Sequence, residues 1–367
     1  MNKNLTLLTF SQVFGFTAAT ITVFLSGIIG SQITSIKFLS TLPTAIYVVG
    51  TAIFTILAAR IMSKIGRRLG FIFAAFGSSL ASLLGAFAIS QQNFILFCVS
   101  CLILGMGAAF NHQYRFAAAE SVEKDKAPKA ISILMLAGIV AAFLGISSAN
   151  YTKNLIPDYL YVGSYLMLAA FTFMPAIFLF FYKNNEKTKI ELNNSYSGRR
   201  MFEIISQPRF FQAVIASAFA YAVMSYLMTA TPMSMHLMDK MSLEKTGLVL
   251  QFHVAAMFLP SLITGHLIKK FGHSNIIYVG VLFFAVTVIL SLFEQTYSNY
   301  MIALIFLGLG WNFLFISGTS LVVLTYTEEE KFRAQGINDL IVFSTMALAS
   351  LSAGISLSLT SWTTMNL

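Results

Sequence analysis

The residues of this sequence able to do chemistry in apolar surroundings are few: one carboxylate, one guanidinium and two imidazoles. Asp339 is the carboxylate that falls clearly inside an apolar run, about five residues in, or roughly 7 Å at a rise of 1.5 Å per residue. Arg115 lies at a comparable depth near the end of another run, with His112 almost one turn deeper and Glu120 close enough along the chain to pair with it. Ionisable groups in such surroundings are expensive, so each is a functional candidate by default. His253 stands near Gln251, and His112 stands between Asn111 and Gln113. An imidazole can titrate near neutral pH and pass a proton, although a lone histidine in an apolar span is more often a neutral hydrogen-bonding residue. No His/Asp/Glu metal cluster and no Ser/His/Asp constellation is evident in the sequence, so an enzyme and a metal site are not expected.

The elements that must position these groups are membrane helices. A mean hydropathy of +0.77, with 57% apolar and 10% charged residues, excludes an ordinary soluble domain, which carries about 25% charge. The apolar runs are about 18 to 27 residues long, enough to cross roughly 30 Å of hydrocarbon. Spans are predicted at about 5–28, 38–60, 69–90, 93–119, 130–149, 159–182, 209–233, 245–268, 274–294, 299–325 and 335–358. Lys and Arg concentrate in alternate connections, which places the N-terminus in the cytoplasm and the chain in a cell (inner) membrane. The net charge of +9 is explained by that bias, so no nucleic-acid partner is expected. Cys98 and Cys101 fall inside one run and read as small packing residues.

A short basic hairpin organises the chain. Ala59, Ser63, Lys64, Gly66, Arg67 and Arg68 join spans two and three, and Gly265, Lys269, Lys270 and Gly272 return in the same place about 206 residues later. Gly105 and Gly107 are likewise echoed by Gly308 and Gly310. An internal duplication with both copies in the same orientation is expected. The domains read as residues 1–182, a six-helix N-terminal half; 183–208, a polar cytoplasmic linker; and 209–367, a C-terminal half with five spans. A six-plus-six plan expects a twelfth helix after span eleven, either lost from this chain or naturally absent.

The hairpin, the duplication and the linker position together resemble the major facilitator superfamily of secondary transporters. That family's loop pattern G-x-x-x-D-[R/K]-x-G-R-[R/K] is met at Lys64, Gly66, Arg67 and Arg68, with Ala59 in place of its Gly and Ser63 in place of its Asp. The resemblance implies an all-α fold of two six-helix halves about a pseudo-two-fold axis, working by alternating access without a cofactor. It implies that spans four, five, ten and eleven close a cytoplasmic gate, so that Arg115 and Asp339 would pair, directly or through Asn338, with pairing of Arg115 and Glu120 as the alternative. A solute site is expected near the midplane between the halves. Gln12, Asn111, Gln113, Tyr221, Tyr226, Gln251, His253, Trp311 and Asn312 are its candidates. The absence of a mid-membrane carboxylate in the first half favours a neutral or anionic small organic solute, and the Tyr and Trp faces suit an aromatic one. The expected partners are that solute, the lipid bilayer and, as a candidate coupling ion, the proton, with the protein a monomer. The alternative reading is a sensor or scaffold that keeps the transporter fold without transport.

Overall fold

The computed structural model describes residues 2–123, 127–183, 199–327 and 330–367, and among them it is all helical. Most of the 183–208 linker therefore lies outside the described residues, as do the side chains of Ala59 and Ser63. The first span is two helices, α1 (Lys3–Gly15) and α2 (Thr17–Ile33), meeting at Phe16. Then come α3 (Leu42–Ile65) and α4 (Arg67–Ser90), followed by α5 (Phe94–Asn111) and its short continuation α6 (Tyr114–Glu120). The first bundle ends with α7 (Ala127–Thr152) and α8 (Val162–Phe180). The second begins with the short α9 (Met201–Ile205) and α10 (Pro208–Met233). It continues through α11 (Leu243–Phe258), α12 (Ser261–Phe271), α13 (His273–Ser291), α14 (Tyr297–Val323), α15 (Lys331–Leu359) and α16 (Trp362–Asn366). Among the described residues ten helices are long and apolar enough to span a bilayer, or eleven when the bent pair α11–α12 is taken as one.

The two basic hairpins are built alike. Gly66 ends α3 at φ 82°, ψ 158°, and Gly272 ends α12 at φ 84°, ψ 157°. Both sit in a region that a Cβ disfavours, so glycine is what lets one helix stop and the next begin without a loop. The duplication is thus visible in backbone angles as well as in sequence. These turns mark one end of the molecule, called here the hairpin end; the opposite end is the far end.

Span eight is broken, and the break has a cause. Pro260 cannot donate a backbone hydrogen bond, and α11 and α12 diverge by 41° across it. Asn312 of α14 repairs the gap. Its Nδ2 donates to the Met257 carbonyl and to Ser261 Oγ, both at 2.7 Å, and its Oδ1 accepts from Thr264 Oγ1 at 2.7 Å. In a bilayer core such orphaned backbone groups must be satisfied by neighbouring protein.

The apolar core is continuous between the bundles toward the far end and divided toward the hairpin end. One cluster joins Phe24, Ile28, Phe97 and Tyr165 of the first bundle to Leu227, Met235, Tyr300 and Trp311 of the second. At the hairpin end, Leu8, Phe71 and Tyr114 form one cluster and Ile204, Phe210 and Leu321 another.

Candidate functional site

Where the shared core gives way to the divided one, the bundles enclose a cavity of about 180 Å³. Its two walls differ. The first bundle contributes most of the polar groups, Gln12, Thr20, Thr44, Thr51, Asn111, His112 and Arg115, set among apolar residues such as Val23, Val48, Leu134 and Ile146 and the rings of Phe16 and Tyr47. The second contributes the rings of Tyr221, Phe258, Trp311, Phe315 and Phe343, together with His253, Ser225, Thr229 and several methionines, Met224, Met257 and Met346 among them. These rings form a packed set. Trp311 stacks on Phe315 with centroids 4.8 Å apart, and Tyr221 meets Trp311, Phe315 and Phe343 edge-on at 5.2, 5.0 and 5.8 Å. Offset and edge-to-face geometries of this kind hold an aromatic wall rigid. No carboxylate lines the cavity among the described residues.

Several buried polar atoms on this lining have no hydrogen-bond partner among the described residues: Gln12 Oε1, Thr44 Oγ1, Arg115 Nε, His253 Nε2 and Trp311 Nε1. Buried polar groups are normally paired, because an unpaired one costs about 1–3 kcal/mol. All five belong to residues that line one cavity, which favours a site for a polar ligand. Asn111 is committed on one side, with its Nδ2 donating to the Gly15 carbonyl at 3.2 Å next to the α1–α2 break.

Five of the nine sequence-derived solute candidates line the cavity: Gln12, Asn111, Tyr221, His253 and Trp311. The other four do not, each for a definite reason. Asn312 spends its amide on the span-eight break. Gln251 Nε2 donates to Ser147 Oγ at 2.8 Å and to the Phe143 carbonyl at 3.3 Å, clasping α11 to α7. The Gln113 carbonyl accepts from Arg67 at 3.4 Å at the α5–α6 break, and Tyr226 packs against the shared core.

At the hairpin end Arg115 Nη2 donates to Asp339 Oδ2 at 3.1 Å, linking the two bundles. Asn338 Nδ2 donates to the other oxygen, Oδ1, at 3.1 Å. The pair is largely buried, with side-chain exposures of 22% and 19%. Beside it the His112 ring lies 5.3 Å from that of Phe343, again across the bundles. Glu120 takes no part in this contact. Arg67 holds it through two hydrogen bonds, Nε to Oε2 at 2.9 Å and Nη2 to Oε1 at 2.6 Å, so the alternative pairing of Arg115 with Glu120 is not the one adopted. With Ser63 at the Asp position of the hairpin pattern, the carboxylate that engages the basic turn comes instead from the end of α6. Arg68 donates to the Phe180 carbonyl and lies over its ring, tying the same turn to α8. Lys64, Gly265, Lys269 and Lys270 are exposed at this end.

A second latch was not read from the sequence. Arg199 donates through Nε and Nη2 to Glu330 at 2.8 and 2.7 Å, and its backbone N–H adds a bond of 2.9 Å. The Thr327 N–H completes the ring of donors at 3.0 Å. This bidentate guanidinium, with the backbone donors, holds the Glu330 carboxyl well below the usual carboxylate range. Arg199 and Glu330 lie 131 positions apart, so no spacing along the sequence joins them.

Residues 5–365 match the family model described as Major Facilitator Superfamily. The riboflavin transporter RfnT of Brucella anthropi is 36% identical over 364 residues, covering 99% of this chain and 91% of its own length. The uncharacterized MFS-type transporter YddS of Bacillus subtilis is 27% identical, covering 100% of this chain and 87% of that protein. Among solved structures, the nucleoside transporter NupG superposes with a TM-score of 0.72 at 14% identity, covering 100% of this chain and 95% of that one. A bacterial homologue of the human lysosomal transporter Spinster, inward-facing and unoccupied, gives 0.73 at 16% identity, covering 97% and 82%. At these identities the structural matches speak for the fold.

Proposed function

The chain belongs to the major facilitator superfamily, and from that premise we propose that it moves a flat aromatic solute, neutral or anionic, by alternating access. It is an integral membrane transporter and not an enzyme. In this reading the halves are residues 1–182 and 209–367, the hairpin end is cytoplasmic in an inner membrane, and the Arg115–Asp339 pair is the gate at that end.

The observation that carries the solute assignment is that the rings cluster on one wall of the cavity and most of its polar side chains lie on the other, with no carboxylate among its described residues. Rings of Trp311, Phe315 and Tyr221 offer faces and edges to a planar solute. Gln12, Thr44 and Asn111 opposite offer hydrogen bonds to a polar substituent. Arg115 is the charged side chain on the lining and tolerates an anion better than a cation. Riboflavin, the solute named for the RfnT relative, has this build: a fused planar ring bearing a polyhydroxylated chain.

The test is riboflavin binding and uptake by the purified protein in proteoliposomes, with and without a pH gradient. Saturable uptake and quenching of flavin fluorescence on binding are expected, the latter because a stacked indole or phenol quenches the flavin. A dependence of the rate on the gradient would assign proton coupling, and its absence facilitated movement. Failure to bind riboflavin overturns this solute. Binding without counterflow overturns transport and leaves a sensor on a transporter fold.

A further inference from the structure

On the aromatic wall His253 is held by one ring nitrogen and left without a partner at the other. His253 is fully buried in α11, and its Nδ1 lies 2.8 Å from the Leu304 carbonyl oxygen of α14. A carbonyl can only accept, so Nδ1 carries the hydrogen and donates it. In the neutral ring Nε2 is then a lone-pair acceptor. That Nε2 has no hydrogen-bond partner among the described residues, and the ring lines the cavity while Leu304 does not.

The tether is rigid. A Cβ at Gly308 would lie 2.6 Å from the His253 carbonyl oxygen and 3.1 Å from the Met257 amide nitrogen, so the backbones of α11 and α14 approach closely at this level. The imidazole therefore cannot readily turn its other edge inward, because doing so would orphan Nδ1–H. A histidine kept only for packing would gain by pairing both nitrogens or by replacement with an apolar ring of similar size. Here one nitrogen is spent on orientation and the other is left unpaired in a ring that borders the cavity.

We propose that His253 is a specificity-determining residue whose Nε2 accepts a hydrogen bond from a ring N–H of the solute, of the lactam or imide kind. Its position on the ring-lined wall selects the ring edge of the solute. Any polyhydroxylated chain faces Gln12, Thr44 and Asn111 across the cavity. The isoalloxazine of riboflavin carries such an imide N–H at N3. This inference rests on the aromatic-solute reading above and extends it to the atom that is recognised.

The experiment compares the affinities of riboflavin and N3-methylriboflavin for the reconstituted full chain, wild type and His253→Phe. In the wild type, methylation blocks the donor and leaves the acceptor unpaired, so affinity falls about tenfold or more. In His253→Phe riboflavin binds more weakly and the two compounds bind alike. A merely structural role would lower both affinities in the variant and leave their ratio unchanged. Equal affinities for the wild type overturn the inference while riboflavin recognition stands. Binding of neither compound overturns the solute reading and this inference with it. Should His253→Phe fail to fold, the wild-type ratio is joined by the nitrogen-15 shift of His253 Nε2. That resonance moves toward a hydrogen-bonded acceptor on riboflavin addition if the inference holds, and an unmoved resonance overturns it.

Discussion

At the far end the two bundles meet through small residues and close packing, whereas at the hairpin end they meet through one described ion pair and one pair of rings. Gly354 of α15 accepts the Phe38–Thr41 turn against its backbone, Gly27 accepts Met233, and Gly247 accepts Ile146 and Phe24. The shared apolar core runs through this seam. Across the cavity the cores part, and Arg115–Asp339 with His112–Phe343 spans the gap. Packing contacts decay within fractions of an ångström, so the far seam opens as a unit or not at all. A charged pair weakens gradually with distance, and water can replace it as it separates. The molecule therefore has a brittle closure at one end and a compliant one at the other, and under the proposed gate the compliant end is the one expected to open.

The largest effect is expected from breaking the brittle end. A Cβ at Gly354 would overlap Thr41 Oγ1 and sit 3.0 Å from the Phe38 carbonyl oxygen, which is backbone and cannot move aside alone. Gly354→Val should cost the closed seam about 1–3 kcal/mol or more, as overpacking does. The readout is thiol labelling of a cysteine placed at Met233, the residue that packs on Gly27. Labelling should quicken at least tenfold, and transport should fall. Unchanged labelling would mean that the far end is not sealed by this packing.

Breaking the compliant end is expected to do less. Asp339→Asn removes the charge that Arg115 faces while keeping an oxygen for Asn338. Because the pair is about one-fifth exposed, it falls between a surface bridge and a dry one, and the loss should be about 1–3 kcal/mol. Openness at the hairpin end, read by labelling a cysteine at Met135 on the cavity wall, should rise several-fold. The double variant Arg115→Gln/Asp339→Asn sharpens the comparison. If the pair is the closure, the second substitution adds little to the first. If transport rate and opening balance are untouched in Asp339→Asn, the gate assignment fails.

The same contrast explains what could be read from the sequence. Each span, both glycine turns and the candidacy of Arg115 and Asp339 were legible because hydropathy length, positive-φ turns and the cost of buried charge are local or compositional. Which face of a helix meets the cavity was not. A bilayer helix is apolar toward lipid and toward core alike, so hydropathy carries no rotational phase, and Gln251, Asn312, Gln113 and Tyr226 read the same as Gln12 and His253. Span eight is predicted as one continuous run over about 245–268, and its break at Pro260 comes from the structure. The residue that mends it, Asn312, lies about fifty positions away and became visible only in three dimensions. The alternative pairing of Glu120 with Arg115 fails for a related reason. Spacing along the chain favoured Arg115, but the antiparallel return of α4 brings Arg67 to it with two hydrogen bonds.

The smallest effect distinguishes the compliant gate from the latch beside it. Glu330 is only 1% exposed, is held by Arg199 and two backbone N–H groups, and has its carboxyl depressed far below the ordinary range of about 4.3. A depressed carboxylate contributes stability that is complete above its unfolded-state value and is lost only as pH falls through the folded one. Between pH 8 and pH 5 the latch should therefore be constant, and amide exchange across residues 199–207, corrected for its intrinsic pH dependence, should show unaltered protection. Loosening should begin only in acid well below the range where free carboxylates titrate. Glu330→Gln should loosen the segment at every pH while leaving the Met135 label as slow as in the wild type, since this latch joins elements of one bundle. Protection that titrates at or above pH 5 would show that Arg199 does not hold Glu330 in the folded protein. A faster Met135 label in Glu330→Gln would show that latch and gate are one device rather than two.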